Sequence, residues 1–461
     1  MFDTSSADSI IDFSKKLKNL TLRKACGKEI EEHDYKGKGK FGQILEKFYF
    51  GYTPNSKSEP DFKEAGIELK SSPLKRLKNG ELRSKERLVL NVINYSEVHK
   101  EDFNNSSFWK KNAHLLLVFY LFEKEINLLD YKIMLVDDWE YPKEDLAIIK
   151  HDWELISQKI SEGRAHELSE GDTYYLGACT KGSSAKSSYK DQPCNKEQAK
   201  QRAYCLKQGY VNHIIANIAK EERGIYGKII DRPEILENNS SIEEIVEFKF
   251  KPFYGKSANQ IEGELGLSLN RNAKSYFANL TNAILGIGLG KKIEEFDKAD
   301  IQVKTVRLKP NGLPKEDISF PTFKYDKLIQ TDWEDSDFKN LLESKFFFVF
   351  YQFENDNLIL RKVKFWNMPY ADIIEAKNVW ERMVEVISNG EIVKEIMKVG
   401  IRKTNFPKKT DNRISHVRPH AKNAEDTYKL PVTDKLTGVK AYTKHCFWLN
   451  ASYVKDEIYS M

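Results

Sequence analysis

The stretch Glu59-Pro60-Asp61-Phe62-Lys63-Glu64-Ala65-Gly66-Ile67-Glu68-Leu69-Lys70 holds the residue types that most directly suggest chemistry in this chain. From Ile67 to Lys70 apolar and charged residues alternate with the period of two of a half-buried strand. Ile67 and Leu69 are predicted to face a core, which leaves Glu68 and Lys70 together on the other face. Asp61 comes just before them, after a proline and a short turn. Two carboxylates and one ammonium then converge on one spot. Such ligands suit Mg²⁺, a hard ion that keeps several waters and completes its shell with a substrate phosphate. A bound Mg²⁺ acidifies water and offsets charge on phosphoryl oxygens. Lys70 is placed to orient that water or to stabilise the same charge. The chemistry predicted is phosphodiester hydrolysis, with Lys70 in an electrostatic role.

The triplet Glu68-Leu69-Lys70 decides little alone. Glu247-Phe248-Lys249, Glu343-Ser344-Lys345 and Asp130-Tyr131-Lys132 have the same form in a chain that is 31% charged. The surroundings of Glu68 add weight. One basic run, Lys36-Gly37-Lys38-Gly39-Lys40, lies upstream, and another, Lys75-Arg76-Leu77-Lys78, lies downstream. Net charge is only +5, so a nucleic-acid surface has to come from local clusters of this kind.

The chain has 461 residues, enough for two or three domains, and its 40% hydrophobic and 12% aromatic content is globular. Five cysteines (Cys26, Cys179, Cys194, Cys205, Cys446) stand at unrelated spacings, without the CxxC pairs of a zinc site. Their odd count, with no basic-then-apolar leader, predicts reduced thiols and a cytoplasmic location. The apolar runs Leu115 to Phe122 and Phe346 to Phe350 are too short to span a bilayer and predict buried central strands. No membrane partner is expected.

Those two runs also belong to an internal duplication. Leu115 to Glu123 parallels Phe346 to Glu354, and Ala65 to Lys70 parallels Ala299 to Lys304. Trp153-Glu154 with Ile160 to Gly163 parallels Trp380-Glu381 with Ile387 to Gly390, and Gly209-Tyr210-Val211 is set against Phe447-Trp448-Leu449. Four pairs in one order, at offsets of about 230 residues, predict two copies of one fold. The expected division is a catalytic domain at 1–225, a connecting segment at 226–245 rich in charge and turn residues, and a second domain at 246–461. Each copy is predicted to be mixed α/β with a central sheet. Trp153, with Leu155, Ile156 and Ile160 near helical spacing, is expected in the core. The copies differ chemically. Gln302 replaces Glu68, and no residue reproduces Pro60-Asp61, although Asp297 and Asp300 are near. One metal site per chain is expected, in the first copy.

Pro60-Asp61 with Glu68-Leu69-Lys70 forms a PD…ExK signature, and the first copy resembles the mismatch-repair nicking endonuclease MutH over about residues 25 to 215. Lys38-Gly39, Phe41 to Glu46, Pro60 to Phe62, Gly66 to Lys70, Asp152 to Glu154, Tyr174 to Leu176 and Tyr210 carry that resemblance. The two-copy length is similar to the Sau-type GATC-specific type II restriction endonucleases, essentially throughout. The resemblance implies tandem restriction-endonuclease-like domains, the C-terminal one catalytically degenerate. It also implies Mg²⁺ dependence and double-stranded DNA containing GATC as the partner. Asp61, Glu68 and Lys70 fall on the family's catalytic triad, with Asp61 and Glu68 as metal ligands. Glu46 falls on a further carboxylate on a helix beside the metal. Lys111 falls near a second lysine, with Lys110 an equal candidate.

The family reads DNA with an Arg-Pro-Lys loop after the Tyr-Leu strand. Here the first copy has Ala178 to Ser183 without the Arg-Pro pair, leaving Thr180 and Lys181. The second copy keeps Arg418-Pro419-His420, where Arg418 would read guanine O6 and N7 by two parallel hydrogen bonds. Lys38 and Gly39 are expected where DNA approaches too closely for a side chain. Tyr210 and Trp448 are expected at DNA or in the core. The activity implied is type II restriction cleavage at GATC. The second copy would bind a second site as an allosteric effector of a DNA-induced homodimer, and a cognate methyltransferase would act on the same sequence. A strand-nicking repair endonuclease and a non-catalytic DNA-binding regulator are the alternatives.

Overall fold

In the computed structural model, residues 2–27, 39–54, 58–181, 188–221, 224–230, 241–398 and 401–460 are described. The alternation from Ile67 to Lys70 opens strand β1 (Ile67–Arg76). After it come β2 (Leu82–Ser84), β3 (Leu88–Val92), β4 (His114–Leu121), β5 (Ile133–Glu140), β6 (Leu176–Thr180) and β7 (Arg202–Leu206). The apolar run expected at the centre forms β4, buried from Leu115 onward. One sheet has the order β2-β1-β4-β5; β4 runs parallel to β1, with Glu68 opposite Leu115 and Lys70 opposite Leu117. A parallel pair needs a long crossover, and β2, β3 and helix α3 (Ser107–Asn112) occupy it. A second, antiparallel sheet has the order β3-β7-β6.

Helix α1 (Ala7–Lys15) and helix α2 (Lys40–Ile44) supply Ile10, Phe41 and Ile44 to a core shared with Ile67, Leu69, Leu116 and Val118. Burying each such side chain contributes roughly 1.5–3 kcal/mol. Ile67 and Leu69 thus anchor the strand whose other face carries the charged pair. Helix α4 (Lys143–Ser161) starts after Pro142 and buries Ile149, Trp153, Ile156 and Ile160, one face at helical spacing, with Trp153 in the interior as expected. Helix α5 (Gln208–Ile218) follows β7.

The chain divides into two compact units, Met1–Ser240 with Lys292–Asp300, and Ser241–Lys291 with Ile301–Met461. Residues 231–240 of the expected connecting segment lie outside the described residues. The returning segment carries helix α6 (Glu294–Lys298) and is bound into the first unit by polar contacts. Lys298 Nζ stands 2.9 Å from Asp145 Oδ1, and the Asp300 carboxylate accepts the Gly209 N–H at 2.9 Å. The Glu295 carboxylate accepts the N–H groups of Ile229 and Ile230. A Cβ at position 209 would collide with the Asp297 carbonyl, so this docking requires glycine there.

The second unit contains β8 (Gln302–Leu308), β9 (Ile318–Thr322), β10 (Phe346–Glu354), β11 (Asn357–Trp366), β12 (Ser415–Pro419) and β13 (His445–Leu449). Its sheets have the orders β8-β10-β11, with β8 parallel to β10, and β9-β13-β12. Helix α7 (Asp337–Leu342) precedes β10 and helix α8 (Tyr370–Ser388) follows β11. The pairing repeats that of β1-β4-β5 and β3-β7-β6. Helices α4 and α8 are each 19 residues long, follow a proline, and place an aspartate at their third residue. Tyr210 donates to Asp145 at 3.1 Å, and Tyr453 donates to Asp372 at 2.6 Å. This corrects one landmark of the duplication. Gly209-Tyr210-Val211 corresponds to Ser452-Tyr453-Val454, whereas Phe447-Trp448-Leu449 lies in β13, the counterpart of β7. Short apolar triplets end strands and begin helices alike, so their composition does not separate the two.

Candidate active site

The site is built on the charged face of β1. Lys70 Nζ stands 2.5 Å from Glu68 Oε1, and Lys111 Nζ approaches the same oxygen at 3.4 Å. The other carboxylate oxygen of Glu68 accepts the Asp61 N–H at 3.1 Å. Asp61 Oδ2 in turn accepts the Leu69 N–H at 3.0 Å. These two exchanges lock the Asp61 turn onto the strand, so the spacing between the carboxylates is fixed by backbone and not by side-chain rotamers alone. Lys111 comes from the last turn of α3 and also donates to the Glu59 carbonyl at 2.9 Å. The structure therefore separates the two lysine candidates: Lys111 is buried in the site, and Lys110 is exposed. Glu46 stands in the π-helical turn Leu45–Tyr49 that continues α2.

Glu46, Asp61, Glu68, Lys70 and Lys111 all line one cleft of about 950 Å³. Burial pushes the Asp61 carboxyl up to about 6, with the Glu68 charge adding to the rise and Lys70 opposing it. Burial likewise raises Glu46 to about 7, reinforced by Asp61. Carboxylates that repel one another in a half-buried cleft are relieved by a cation, and an all-oxygen donor set fits a hard one. Among the described residues no three His, Cys, Asp or Glu side chains are grouped to enclose a metal ion. An ion here would rest on Asp61 and Glu68 and take the rest of its shell from water and substrate, the binding habit of Mg²⁺.

The residues expected at DNA are dispersed. Lys38 lies outside the described residues. Gly39 precedes α2 with φ −84°, a conformation open to any residue, and a Cβ there meets nothing among the described residues. Thr180 ends β6, and the exposed Lys181 follows, its N–H donating to the Gln201 carbonyl at 2.8 Å. Tyr210 is corrected. Its ring is fully buried against Tyr175 and its hydroxyl is spent on Asp145, so it is a core residue and not a DNA contact. Arg418 and Pro419 end β12 instead of forming a free loop, paired with Cys446 and His445. The Arg418 guanidinium lies 3.6 Å from the centre of the Trp448 ring, a cation–π contact, and 3.4 Å from Asp317. His420 is exposed beside Trp448, with ring centres 5.4 Å apart.

In the second unit the corresponding surface lacks the chemistry. Gln302 stands where Glu68 does, opposite Phe346 as Glu68 is opposite Leu115. The counterpart of Lys111 is Leu341 counted from the start of α7, or Leu342 counted back from β10. Neither can brace a carboxylate. Lys304 keeps the place of Lys70, and burial lowers its pKa.

The DNA mismatch repair enzyme MutH family matches residues 50–152, the interval that contains Asp61, Glu68, Lys70 and Lys111. The chain is 37% identical to the type II restriction enzyme Sau3AI of Staphylococcus aureus, over 95% of this chain and 96% of that protein. It is 30% identical to the DNA mismatch repair protein MutH of Vibrio parahaemolyticus, over 34% of this chain and 67% of that protein. The MutH protein of Shewanella amazonensis is 28% identical over 36% of this chain and 72% of its own length.

Proposed function

Because this chain belongs to the type II restriction enzyme family that includes Sau3AI, and is thereby a site-specific deoxyribonuclease, we propose that it cuts double-stranded DNA at GATC with Mg²⁺ in the cleft of its first unit. The observation that carries this reading is the convergence of Asp61, Glu68, Lys70 and Lys111 on one cleft wall. Asp61 and Glu68 hold the cation, which supplies Lewis acidity for a water and for the charge gathering on the phosphoryl oxygens. Lys70, held beside Glu68, presents its ammonium to that same charge. Lys111 fixes Glu68 and the Glu59 carbonyl, and so fixes the spacing on which the site depends. Glu46 completes the acidic wall. In the overall reaction a water oxygen bonds to phosphorus, the bond to the 3′ oxygen breaks, and a 5′-phosphate and a 3′-hydroxyl remain.

GATC is palindromic and needs two scissions, whereas among the described residues only the first unit carries the full set of groups. Two chains meeting on one duplex satisfy that requirement. The topology shared by the two units supports reading the second as a degenerate copy. Its Arg418, braced on Trp448 with Pro419 and His420 beside it, supports a role in binding a second GATC site as effector. Thr180 and Lys181 take the base-reading position in the first unit. A methyltransferase acting on the same sequence is the partner activity a restriction enzyme requires. In the test, Glu68→Ala is expected to abolish Mg²⁺-dependent cleavage while DNA binding persists. Full cutting by that variant would remove the site assignment. Nicked circles without linear product from the unaltered chain would favour the repair-type activity of the MutH relatives.

A further inference from the structure

Asn91 faces the catalytic cleft from the opposite sheet. It lies on β3, and it lines the cleft together with Asp61, Glu68, Lys70 and Lys111. The pairing of β3 with β7 shifts register between Val89 and Val92, so Asn91 falls at a bulge. Bulges beside active sites re-aim a side chain. The direction of the Asn91 amide is set by Asn112, which is fully buried at the end of α3, next to Lys111. Asn112 Nδ2 donates to the Phe108 carbonyl and to Asn91 Oδ1, both at 2.8 Å. A carbonyl oxygen only accepts, so the Phe108 contact fixes which end of the Asn112 amide is nitrogen. Both its hydrogens are then used, and Asn91 must present oxygen to Asn112 and its NH₂ group elsewhere. Among the described residues no hydrogen-bond acceptor is recorded for Asn91 Nδ2. Asn112 Oδ1 is left buried without a protein partner among the described residues.

The second unit supplies an internal control. Ile318, Ser319 and Thr322 of β9 face Leu449, Trp448 and Cys446 as Leu88, Val89 and Val92 face Leu206, Cys205 and Ala203, with a register shift at the same place. At the position of Asn91 stands Pro321, which has no amide side chain. At the position of Asn112 stands Leu342 or Glu343, counted from the helix or from the strand. The bulge persists where Glu68 and Lys111 are lost, and the asparagine pair does not.

We infer that Asn91 is a substrate-binding residue whose NH₂ group donates to a phosphate oxygen of the DNA next to the bond that is cut, and that Asn112 is the positioning residue that aims it. This rests on the nuclease reading of the cleft. A phosphate oxygen, not a base edge, is the acceptor assigned, because Asn91 shares the cleft with Asp61, Glu68, Lys70 and Lys111, the groups suited to phosphate chemistry.

The experiment is single-turnover cleavage of a GATC duplex by the full chain, on unmodified DNA and on duplexes with one neutral methylphosphonate at each phosphate around the cut. Asn91→Ala is expected to slow cleavage about tenfold to a hundredfold, the loss of one hydrogen bond to a charged group, with an unchanged melting temperature. One methylphosphonate position is expected to slow the unaltered chain and to add nothing in Asn91→Ala. Asn112→Ala is expected to slow cleavage without slowing Asn91→Ala further when the two are combined. Cleavage by Asn91→Ala at the full rate overturns the inference, as do methylphosphonate effects that multiply with Asn91→Ala at every position. If Asn112→Ala cuts normally, its positioning role is overturned. If the unaltered chain does not cut, the nuclease reading itself fails, which is a distinct result.

Discussion

At the scale of single residues, the cleft is defined by proton affinity as much as by geometry. Asp61 titrates near 6 and Glu46 near 7, both raised first by burial and then by neighbouring carboxylates. A raised folded-state value means that the folded chain holds these protons more tightly than the unfolded chain does. The site therefore favours folding most below about pH 4, the range of the unfolded carboxyls, and that contribution is lost as pH rises through the folded values of about 6 and 7. A cation that replaces the protons reverses the trend. Two outcomes are expected together. Without metal, the melting temperature of the first unit falls between pH 5.5 and 8, and Mg²⁺ restores it most at the upper end. At a fixed low Mg²⁺ concentration, cleavage rises over the same range, and more Mg²⁺ moves the rise to lower pH. A cleavage rate independent of pH between 6 and 8 at limiting Mg²⁺ would show that these carboxylates do not compete with protons for the ion.

At the scale of elements, the returning segment Lys292–Asp300 acts as a buried strap of the first unit. Lys298 and Asp145 form an ion pair with 6% and 2% of their side chains exposed, and Tyr210 donates to the same aspartate. Removing one partner of such a pair leaves a charge in the interior. Lys298→Ala is thus expected to destabilise the first unit by about 3–5 kcal/mol, read as the lower of two transitions in a denaturant melt. An unchanged melt would show the strap to be peripheral. The second unit meets the same need differently, with Arg413 against Asp372. None of this was legible in the sequence, because a polar residue 153 positions from its partner carries no periodic signal. What was legible had local causes. The period of two from Ile67 to Lys70 gives β1 and its two faces, and the unbroken apolar run gives β4 at the centre. Lys110 and Lys111 are indistinguishable as letters, and only the phase of α3 separates them. Tyr210 shows the converse: an aromatic residue that fits a family position can still spend its hydroxyl in the core.

At the scale of the molecule, one unit carries the acidic cleft and the other repeats its topology without it. The Arg418 guanidinium over the Trp448 ring is the feature of the second unit on which the proposed effector role rests. Arg418→Ala is expected to leave the rate at a single saturating site nearly unchanged and to remove stimulation by an added GATC duplex. Stimulation that survives the substitution would separate Arg418 from any effector role. The cleft of the first unit is proposed to cut duplex DNA at one sequence. This is tested most directly by digesting unmethylated supercoiled plasmid with Mg²⁺, in parallel with EDTA and with Glu68→Ala, and sequencing the ends. Linear fragments, all ending at GATC with 5′-phosphates, are expected from the Mg²⁺ reaction of the unaltered chain alone. Intact plasmid, ends scattered over other sequences, or equal cutting by Glu68→Ala would contradict it.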